Sequence, residues 1–312
     1  MDKKISRVII TLLLLSPSIL HGRISKRTLL RKICCLQGIT NRICSELETI
    51  KNSTGNGSAP TPECATLITQ GDVVENSLII ESPGVYKLCE DLENACIDIV
   101  TDNVTLDLNG YSISGNCSAV ILVGGGIQNF VIKNGSIKNN PNLNGIQFES
   151  ATHSNRVENV EISNCFRGII ADSSNNNIIS NCTVKNCGDG IFIRGDNNII
   201  SECIIENISN DTIPFSPRGI GLVDPSKNNF VFNNTVDNIS KQTGSCLVSQ
   251  PFGIFDETGD SFIVGNYVSN VNYPGCDSAI GILTIGKAFH NTSLGNDINY
   301  VGPAGGGVNG NY

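Results

Sequence analysis

A segment that repeats itself three times, between residues 145 and 210, constrains the fold of this chain more than any other feature. Each copy opens with Gly-Ile, at Ile146, Ile169 and Ile191, and continues with two short runs rich in Ile and Val. The opening isoleucines lie 23 and then 22 residues apart. A fixed period of this length is typical of stacked structural repeats.

Each repeat holds three short strands separated by turn-forming Asn, Ser, Asp and Gly, with no room for a crossover helix. The repeat therefore predicts an all-β fold, a right-handed parallel β-helix in which each strand pairs with its copy about 4.8 Å along the axis. Ile146, Ile169 and Ile191 would then form one interior column. A leucine-rich repeat has a similar period, but its Leu-x-x-Leu-x-Leu frame is absent.

Asparagine recurs at one turn of the repeat, where it tolerates a left-handed backbone and can hydrogen-bond from coil to coil. The predicted stack is Asn155, Asn176 and Asn197. Later coils are longer, so the extra residues form loops, which in repeat proteins gather on the binding face. The isoleucines predicted to open these coils are Ile220, Ile254 and Ile280. Residues 65–300 would hold about ten coils at the observed period.

The rest of the chain divides into four segments. Residues 1–22 predict an export signal, because basic residues precede an apolar run that is short for a membrane span; an uncleaved anchor is the alternative. Residues 23–51 have the apolar spacing of an amphipathic helix, which would either cover the first coil or join copies into a homo-oligomer. Residues 52–64 are a linker by composition, and residues 301–312 are a Gly-rich flexible tail.

Charge is divided unevenly along the chain. Residues 1–51 carry ten basic and three acidic side chains, so the remainder holds 21 − 10 = 11 basic and 29 − 3 = 26 acidic ones, a net −15. Such a surface repels nucleic acid and disfavours broad contact with an acidic polysaccharide. A polyanionic ligand would need a local arginine cluster or a bridging cation.

Two early segments carry a family resemblance. Residues 104–115 read Val-Thr-Leu-Asp-Leu-Asn-Gly-Tyr-Ser-Ile-Ser-Gly, and residues 127–137 read Ile-Gln-Asn-Phe-Val-Ile-Lys-Asn-Gly-Ser-Ile. Together they resemble early coils of secreted right-handed β-helix proteins of the pectin-lyase-like superfamily, and the likeness covers roughly residues 78–294. The resemblance implies the fold; members of the superfamily include lyases, hydrolases, epimerases and adhesins.

Enzyme motifs of that superfamily are mostly missing from this chain. The Gly-His-Gly and Asp-Asp of polygalacturonases do not occur, and Ser216-Pro217-Arg218-Gly219 does not match the Arg-x-Pro-x-x-Arg of pectate lyases. No CxxC or Cys-His spacing indicates a metal site. We expect no cofactor, although the many aspartates leave room for calcium.

Thirteen cysteines, an odd number, suggest some disulfides and at least one free thiol. The predicted bridges are Cys89 with Cys96, across a turn, and Cys246 with Cys276, in loops of neighbouring coils. Four others recur at equivalent places in successive coils and are interpreted as a buried ladder of small apolar side chains. These are Cys165, Cys182, Cys187 and Cys203.

Charged residues form two predicted columns on the coils. Aligning the Gly-Ile openings stacks Arg167, Asp189 and Arg218, whereas aligning the Asn turn stacks Asp172, Asp224 and Asp256. Stacked charges at about 4.8 Å form salt-bridge ladders, which is the simpler explanation. The functional interpretation is a sugar-binding groove in which carboxylates contact hydroxyls or act as acid and base, and arginine neutralises a uronate.

These patterns predict a secreted or surface-exposed protein, periplasmic or on the outer surface if bacterial, that acts as a binding or adhesive surface for polysaccharides or cell-surface glycans. The ligand-binding candidates are Arg167, Asp172 and Arg194. The alternative is a polysaccharide lyase or glycoside hydrolase, whose candidate catalytic residues are Asp189, Arg218, Asp224 and Asp256. With its signal cleaved, the chain would not be an integral membrane protein.

Overall fold

A computed structural model describes residues 65–138, 140–210, 216–241 and 250–302. The predicted signal (1–22), helical segment (23–51) and linker (52–64) lie outside the described residues, as does the tail beyond residue 302. No helix in the described part of the chain is long and apolar enough to cross a membrane.

The regular secondary structure of the described chain is all β-strand, apart from a single 3₁₀ turn at Gln70–Asp72. In chain order the strands are β1 Thr66–Ile68, β2 Ser77–Ile80, β3 Gly84–Leu88, β4 Cys96–Ile99, β5 Val104–Asp107, β6 Ser112–Ser114, β7 Ala119–Val123, β8 Val131–Lys138, β9 Asn140–Phe148, β10 Arg156–Ser163, β11 Cys165–Asp172, β12 Ile178–Ser180, β13 Thr183–Lys185, β14 Asp189–Arg194, β15 Ile199–Ser201, β16 Ile204–Ser209, β17 Arg218–Leu222, β18 Phe230–Phe232, β19 Thr235–Ser240, β20 Phe252–Asp256, β21 Phe262–Val264, β22 Tyr267–Asn272, β23 Ile280–Thr284, β24 Lys287–Phe289, β25 Thr292–Leu294 and β26 Ile298–Val301.

The strands form two parallel sheets that enclose one core. Ten of them make the first sheet, in the order β2-β4-β7-β9-β11-β14-β17-β20-β23-β26. The other sixteen form a second sheet, in which β10 pairs through its first half with β12 and through its second half with β13. Since each coil adds one strand to the first sheet, the described chain winds through ten coils, as the repeat predicted.

Interior columns of aliphatic side chains form the core. Ile169 pairs in register with Ile146 on one side and Ile191 on the other, and all three are fully buried. The predicted column is therefore confirmed. It continues through Ile220 and Ile254 to Ile282 rather than to Ile280, which pairs with Phe252.

The asparagine stack exists and includes Asn155 as predicted, but its next two members lie one residue later than predicted. Asn155, Asn177, Asn198 and Asn229 are each at most 1% exposed. The backbone N–H of each of the first three donates to the side-chain oxygen of the next, at 2.8–3.1 Å. Asn176 and Asn197 instead occupy the left-handed corner position, with φ of 56° and 57°. Both positions favour Asn, so the sequence alone did not separate them.

The cysteines follow the predicted division only in part. Cys165, Cys182, Cys187 and Cys203 are free and buried, which confirms the thiol ladder. The predicted Cys89–Cys96 bridge is wrong, because Cys96 is bonded to Cys117 of the next coil, with their Cα atoms 6.5 Å apart. Cys89 and Cys276 are also disulfide-bonded. Cys246, the partner predicted for Cys276, lies outside the described residues.

Candidate functional site: an arginine and phenylalanine strip

Alternation along the ten-stranded sheet determines which side chains face outward. Ile169, Ile191 and Ile220 point into the core, so the residues after them point to the outer surface. In register, these outer positions hold Ile170, Phe192, Gly221 and Phe255. Three arginines lie on or beside this outer row. We refer to Arg167, Phe192, Arg194, Arg218 and Phe255 as the arginine–phenylalanine strip.

Phe192 lies at the centre of the strip, beneath the arginine guanidinium groups. The Cζ atoms of Arg167, Arg218 and Arg194 are 4.8, 5.7 and 5.9 Å from its ring centroid. Cation–π attraction of this kind contributes about 0.5–2 kcal/mol per contact. Phe192 is only 7% exposed as a result.

Arg218 occupies the space that Gly221 leaves open. A Cβ at Gly221 would lie 2.8 Å from Cδ of Arg218, so a larger residue there would displace the arginine stem. The guanidinium Cζ consequently lies 4.8 Å from the ring centroid of Phe255. Its Nε is buried and has no hydrogen-bond partner. None of the described carboxylates forms a salt bridge with this side chain.

Asp189 lies on the strand between those of Arg167 and Arg218 and is 2% exposed. Its Oδ2 accepts a hydrogen bond from Arg167 Nε at 3.2 Å, and its Oδ1 accepts one from the Arg218 backbone N–H at 3.1 Å. Burial raises the pKa of this carboxyl, and the positive charges of Arg218 and Arg167 oppose that rise. The predicted grouping of Arg167, Asp189 and Arg218 is therefore confirmed in space.

Burial also lowers the pKa of Arg218, and the neighbouring positive charge of Arg167 acts in the same direction. Asp189 and Glu257 oppose this shift. A guanidinium remains protonated in proteins in spite of such shifts, so Arg218 is a cation held partly out of water with unused hydrogen-bonding capacity. An arriving anion would satisfy both its charge and its free donors.

Arg194 extends the strip along the next outer column. It pairs in register with Asp172, and its Nη1 lies 3.1 Å from the Asp172 Oδ1. Both side chains are about 40% exposed, at 39% and 41%. An exposed pair contributes little stability, so an incoming ligand can exchange for one partner at low cost.

The predicted column of Asp172, Asp224 and Asp256 does not exist. Asp256 pairs with Leu222 inside the solenoid and is fully buried, where it accepts hydrogen bonds from the hydroxyls of Thr258 and Thr284 at 2.6 and 2.5 Å. Asp224 lies exposed beyond the end of β17. The insertions that lengthen these coils shift the phase of the sequence, so alignment on the Asn turn was wrong here.

Phe192 and Phe255 were missed by the sequence interpretation, which considered only charged residues. The signal was present: each follows a Gly-Ile opening directly, and alternation turns the residue after a buried isoleucine outward. Within the described residues, no three His, Cys, Asp or Glu side chains gather as a metal site requires. Calcium binding stays a prediction.

The fold defines a class of protein, a parallel β-helix, and this chain carries a strip of arginine and phenylalanine side chains on one sheet. The sequence matches the family described as right handed beta helix region over residues 49–236 and again over 157–310. The chain therefore belongs to the right-handed β-helix family. Comparison with curated protein sequences gives no significant match.

Several solved structures resemble this chain at low identity. An alginate lyase from Paenibacillus sp. str. FPU-7 is 13% identical with a TM-score of 0.44, covering 77% of this chain and 98% of the lyase. A tailspike protein of E. coli bacteriophage HK620 is 9% identical with a TM-score of 0.45, covering 84% of this chain and 59% of the tailspike. The A-module of an Azotobacter vinelandii mannuronan C-5 epimerase is 13% identical with a TM-score of 0.33, covering 73% of this chain and 85% of the module. At these identities and TM-scores, the likenesses carry no conclusion about this chain.

Proposed function

We propose that this protein is an exported glycan-binding β-helix that recognises acidic sugar units on the arginine–phenylalanine strip. The observation that carries the proposal is Arg218, a partly buried cation with an unpartnered Nε, between two aromatic rings. A guanidinium held partly out of water is stabilised when a carboxylate or sulfate binds its remaining N–H donors. The disulfide between Cys96 and Cys117 supports export, because such bonds persist in oxidising compartments.

Charge explains why the strip would select an acidic ligand. The chain beyond residue 51 carries a net −15, so most of its surface repels a polyanion. The strip brings three arginines together, and of the carboxylates beside them Asp189 is buried, whereas Asp172 and Glu257 reach the surface. Three guanidinium groups therefore accompany two surface carboxylates. The strip is the local arginine cluster that an acidic polysaccharide would need on this protein. The surrounding negative surface would restrict binding to this strip.

We rank binding before catalysis because the carboxylate nearest the arginines is already engaged. Asp189 is buried and accepts hydrogen bonds from Arg167 and Arg218, so it does not present a free oxygen to a substrate. A general base must reach the proton that it removes. Asp224 and Asp256, the other carboxylates considered for acid–base catalysis, lie in a loop and in the core.

Direct titration of purified full-length protein tests the proposal. The probes are trigalacturonate, trimannuronate and a heparin-derived hexasaccharide, with cellohexaose as the uncharged comparison, each measured by isothermal titration calorimetry. Arg218→Gln should weaken binding of the acidic probe at least tenfold, which corresponds to about 1.4 kcal/mol. Binding should also weaken as salt is raised.

Lys287→Gln is the matched control, because this residue also forms a cation–π contact, 4.7 Å from the ring centroid of Phe262, but on the other sheet. It should bind the acidic probe like the parent protein. Equal affinity of the parent and Arg218→Gln for every acidic probe, or preference for cellohexaose, would reject the proposal. Release of unsaturated or reducing-end products from a bound probe would move the assignment to a lyase or a hydrolase.

A further inference from the structure

A groove lies on the sixteen-stranded sheet, away from the arginine–phenylalanine strip. It crosses the outer faces of β8, β10 and β12 and has a volume of about 500 Å³. Small-molecule sites in proteins span about 300–1,000 Å³. Its floor is formed by Phe130 and Asn155, which are 0% and 1% exposed. The groove therefore has a closed floor and enough room for a small ligand.

Charged side chains of both signs form one wall of the groove. Arg156 and Glu158 are two residues apart on β10 and therefore face the same side of the sheet. Arg156 Nη1 lies 3.5 Å from Glu158 Oε2, and the side chains are 50% and 27% exposed. Lys133 stands beside Glu158 in register. No hydrogen bond or salt bridge to the Lys133 side chain is present among the described residues. Donors and acceptors thus lie next to one another, accessible to solvent and weakly engaged.

Amide groups supply the opposite wall. Asn129 and Asn176 occupy left-handed corner positions, with φ of 57° and 56°, and both line the groove. The side chain of Asn129 makes only a long contact, 3.4 Å from its Nδ2 to Asn103 Oδ1. The Asn176 side chain makes no hydrogen bond within the described part of the chain. Both amides are free to bind a ligand through their donors and acceptors.

The floor contains a break in the asparagine ladder. Asn177 and Asn198 use their Nδ2 groups to donate to Asn198 Oδ1 and Ser174 O, whereas Nδ2 of Asn155 is buried without a partner. Asn155 is the first asparagine of the ladder, since Phe130 precedes it in the stack and accepts nothing through its side chain. The groove is therefore located where the ladder leaves a donor unsatisfied.

The chemistry of the lining decides between kinds of ligand. The groove holds two cations, Arg156 and Lys133. The charge of Glu158 offsets that of Arg156. Asp107, in register with Lys133, offsets the other, so the groove is close to neutral overall. Phe130 is fully covered and offers no ring face for stacking. This charge balance does not favour an acidic ligand, whereas adjacent carboxylate, guanidinium and amide groups match paired hydroxyls. Val131 and Ile178 add apolar surface that suits the C–H face of a sugar ring.

We propose that this groove binds a neutral pyranose unit, as a second carbohydrate site independent of the arginine–phenylalanine strip. Arg156 and Glu158 contact vicinal hydroxyls, donating and accepting side by side. Asn129 and Asn176 hold the opposite edge of the ring. The two sites lie on different sheets. A substitution that abolishes sugar binding in the groove should therefore leave acidic-glycan binding on the strip intact, and a substitution in the strip should leave the groove intact.

Saturation-transfer NMR on the full-length protein tests this site. The probes are the methyl glycosides of glucose, galactose, mannose and N-acetylglucosamine at millimolar concentration, together with inorganic phosphate as the anionic comparison. At least one glycoside should receive saturation from the parent protein. In Glu158→Gln and Arg156→Gln the transfer should fall at least fivefold, because the first removes the charge at constant side-chain size and the second removes the guanidinium.

Lys185→Gln is the control, a cation on the same sheet that is paired with Glu161 at 3.1 Å and lies outside the groove. It should leave the transfer unchanged. Absence of transfer to all four glycosides, or equal transfer in Glu158→Gln and the parent, overturns the proposal. Abolition of the signal by inorganic phosphate overturns it as well, since the groove would then be an anion site. Arg218→Gln should have no effect on this signal, which separates the groove from the proposed function.

Discussion

At the scale of single residues, Asp189 organises the strip without facing the ligand. Its carboxylate binds the side chain of Arg167 and the backbone of Arg218, so it orients one guanidinium and fixes the strand that carries the other. Alignment of the Gly-Ile openings predicted this grouping. The depth of Asp189 was not predictable, because it depends on how Arg167 and Arg218 fold over it.

Asp189→Asn should change how stability depends on pH. The folded protein raises the pKa of the Asp189 carboxyl above 3.8, so it binds this carboxyl's proton more tightly than the unfolded chain does. The parent is therefore stabilised by protonation of Asp189 at low pH and loses that stability as pH rises through the raised pKa. The amide introduced by Asp189→Asn does not titrate, so this variant does not show the pH-dependent loss. Melting temperature measured against pH should therefore fall more steeply above pH 3.8 for the parent than for Asp189→Asn. Parallel curves would show that the carboxyl titrates alike in both states.

At the scale of elements, the asparagine ladder connects neighbouring coils at one corner. Asn198 accepts hydrogen bonds from the backbone N–H and the Nδ2 of Asn177, both at 2.9 Å, and donates to Ser174 O at 3.0 Å. The sequence predicted such a stack but placed it at Asn176 and Asn197. Consecutive asparagines suit both the buried rung and the left-handed corner, and only the strand register separates them.

Asn198→Ala should destabilise the protein by about 1–3 kcal/mol, because it removes the acceptor of the buried Asn177 backbone N–H and one of the two acceptors of Asn177 Nδ2. Urea denaturation followed by circular dichroism measures the loss. Asn116→Ala is the control, since Asn116 is exposed and makes no side-chain hydrogen bond among the described residues; it should stay within about 0.5 kcal/mol of the parent. Similar losses in both variants would contradict a structural role for the ladder.

A column of glycines allows successive coils of the ten-stranded sheet to approach each other. A Cβ on Gly219 would lie 2.6 Å from the Gly253 carbonyl oxygen and would also collide with Val236. Gly219→Ala should therefore cost about 1–3 kcal/mol through overpacking. Gly71→Ala, where the nearest atom is 3.6 Å away, should be nearly neutral. The same denaturation experiment compares them, and equal midpoints would refute the packing argument.

At the scale of the whole molecule, stability of a solenoid is a sum over coils and their neighbours. The disulfide between Cys96 and Cys117 closes a loop of 21 residues in the first coils. Its connectivity did not follow from cysteine spacing: Cys89 is nearer in sequence to Cys96, but the winding brings Cys117 beside it instead. Pairing between coils overrides proximity along the chain.

Replacing both Cys96 and Cys117 by Ser should cost about 3 kcal/mol by the loop-entropy argument. The effect should be local, because each coil contacts only its neighbours. Hydrogen exchange followed by mass spectrometry should show faster exchange in β2, β4 and β7, with β20 and β23 unchanged. A uniform loss of protection along the solenoid would mean that all coils unfold as one cooperative unit.

The sequence by itself determined the parallel solenoid, its ten coils and the interior columns of isoleucine. Each coil must bury apolar residues at equivalent positions, so they recur in the sequence with the period of one coil. It also grouped Arg167, Asp189 and Arg218, which occupy the same position in successive coils. Only the tertiary structure decided which outward residues meet, that Arg218 lies between Phe192 and Phe255 and that Asp256 turns into the core. The reason is physical: hydrogen bonds between strands set the register of neighbouring coils, and insertions of unequal length make that register independent of spacing along the chain.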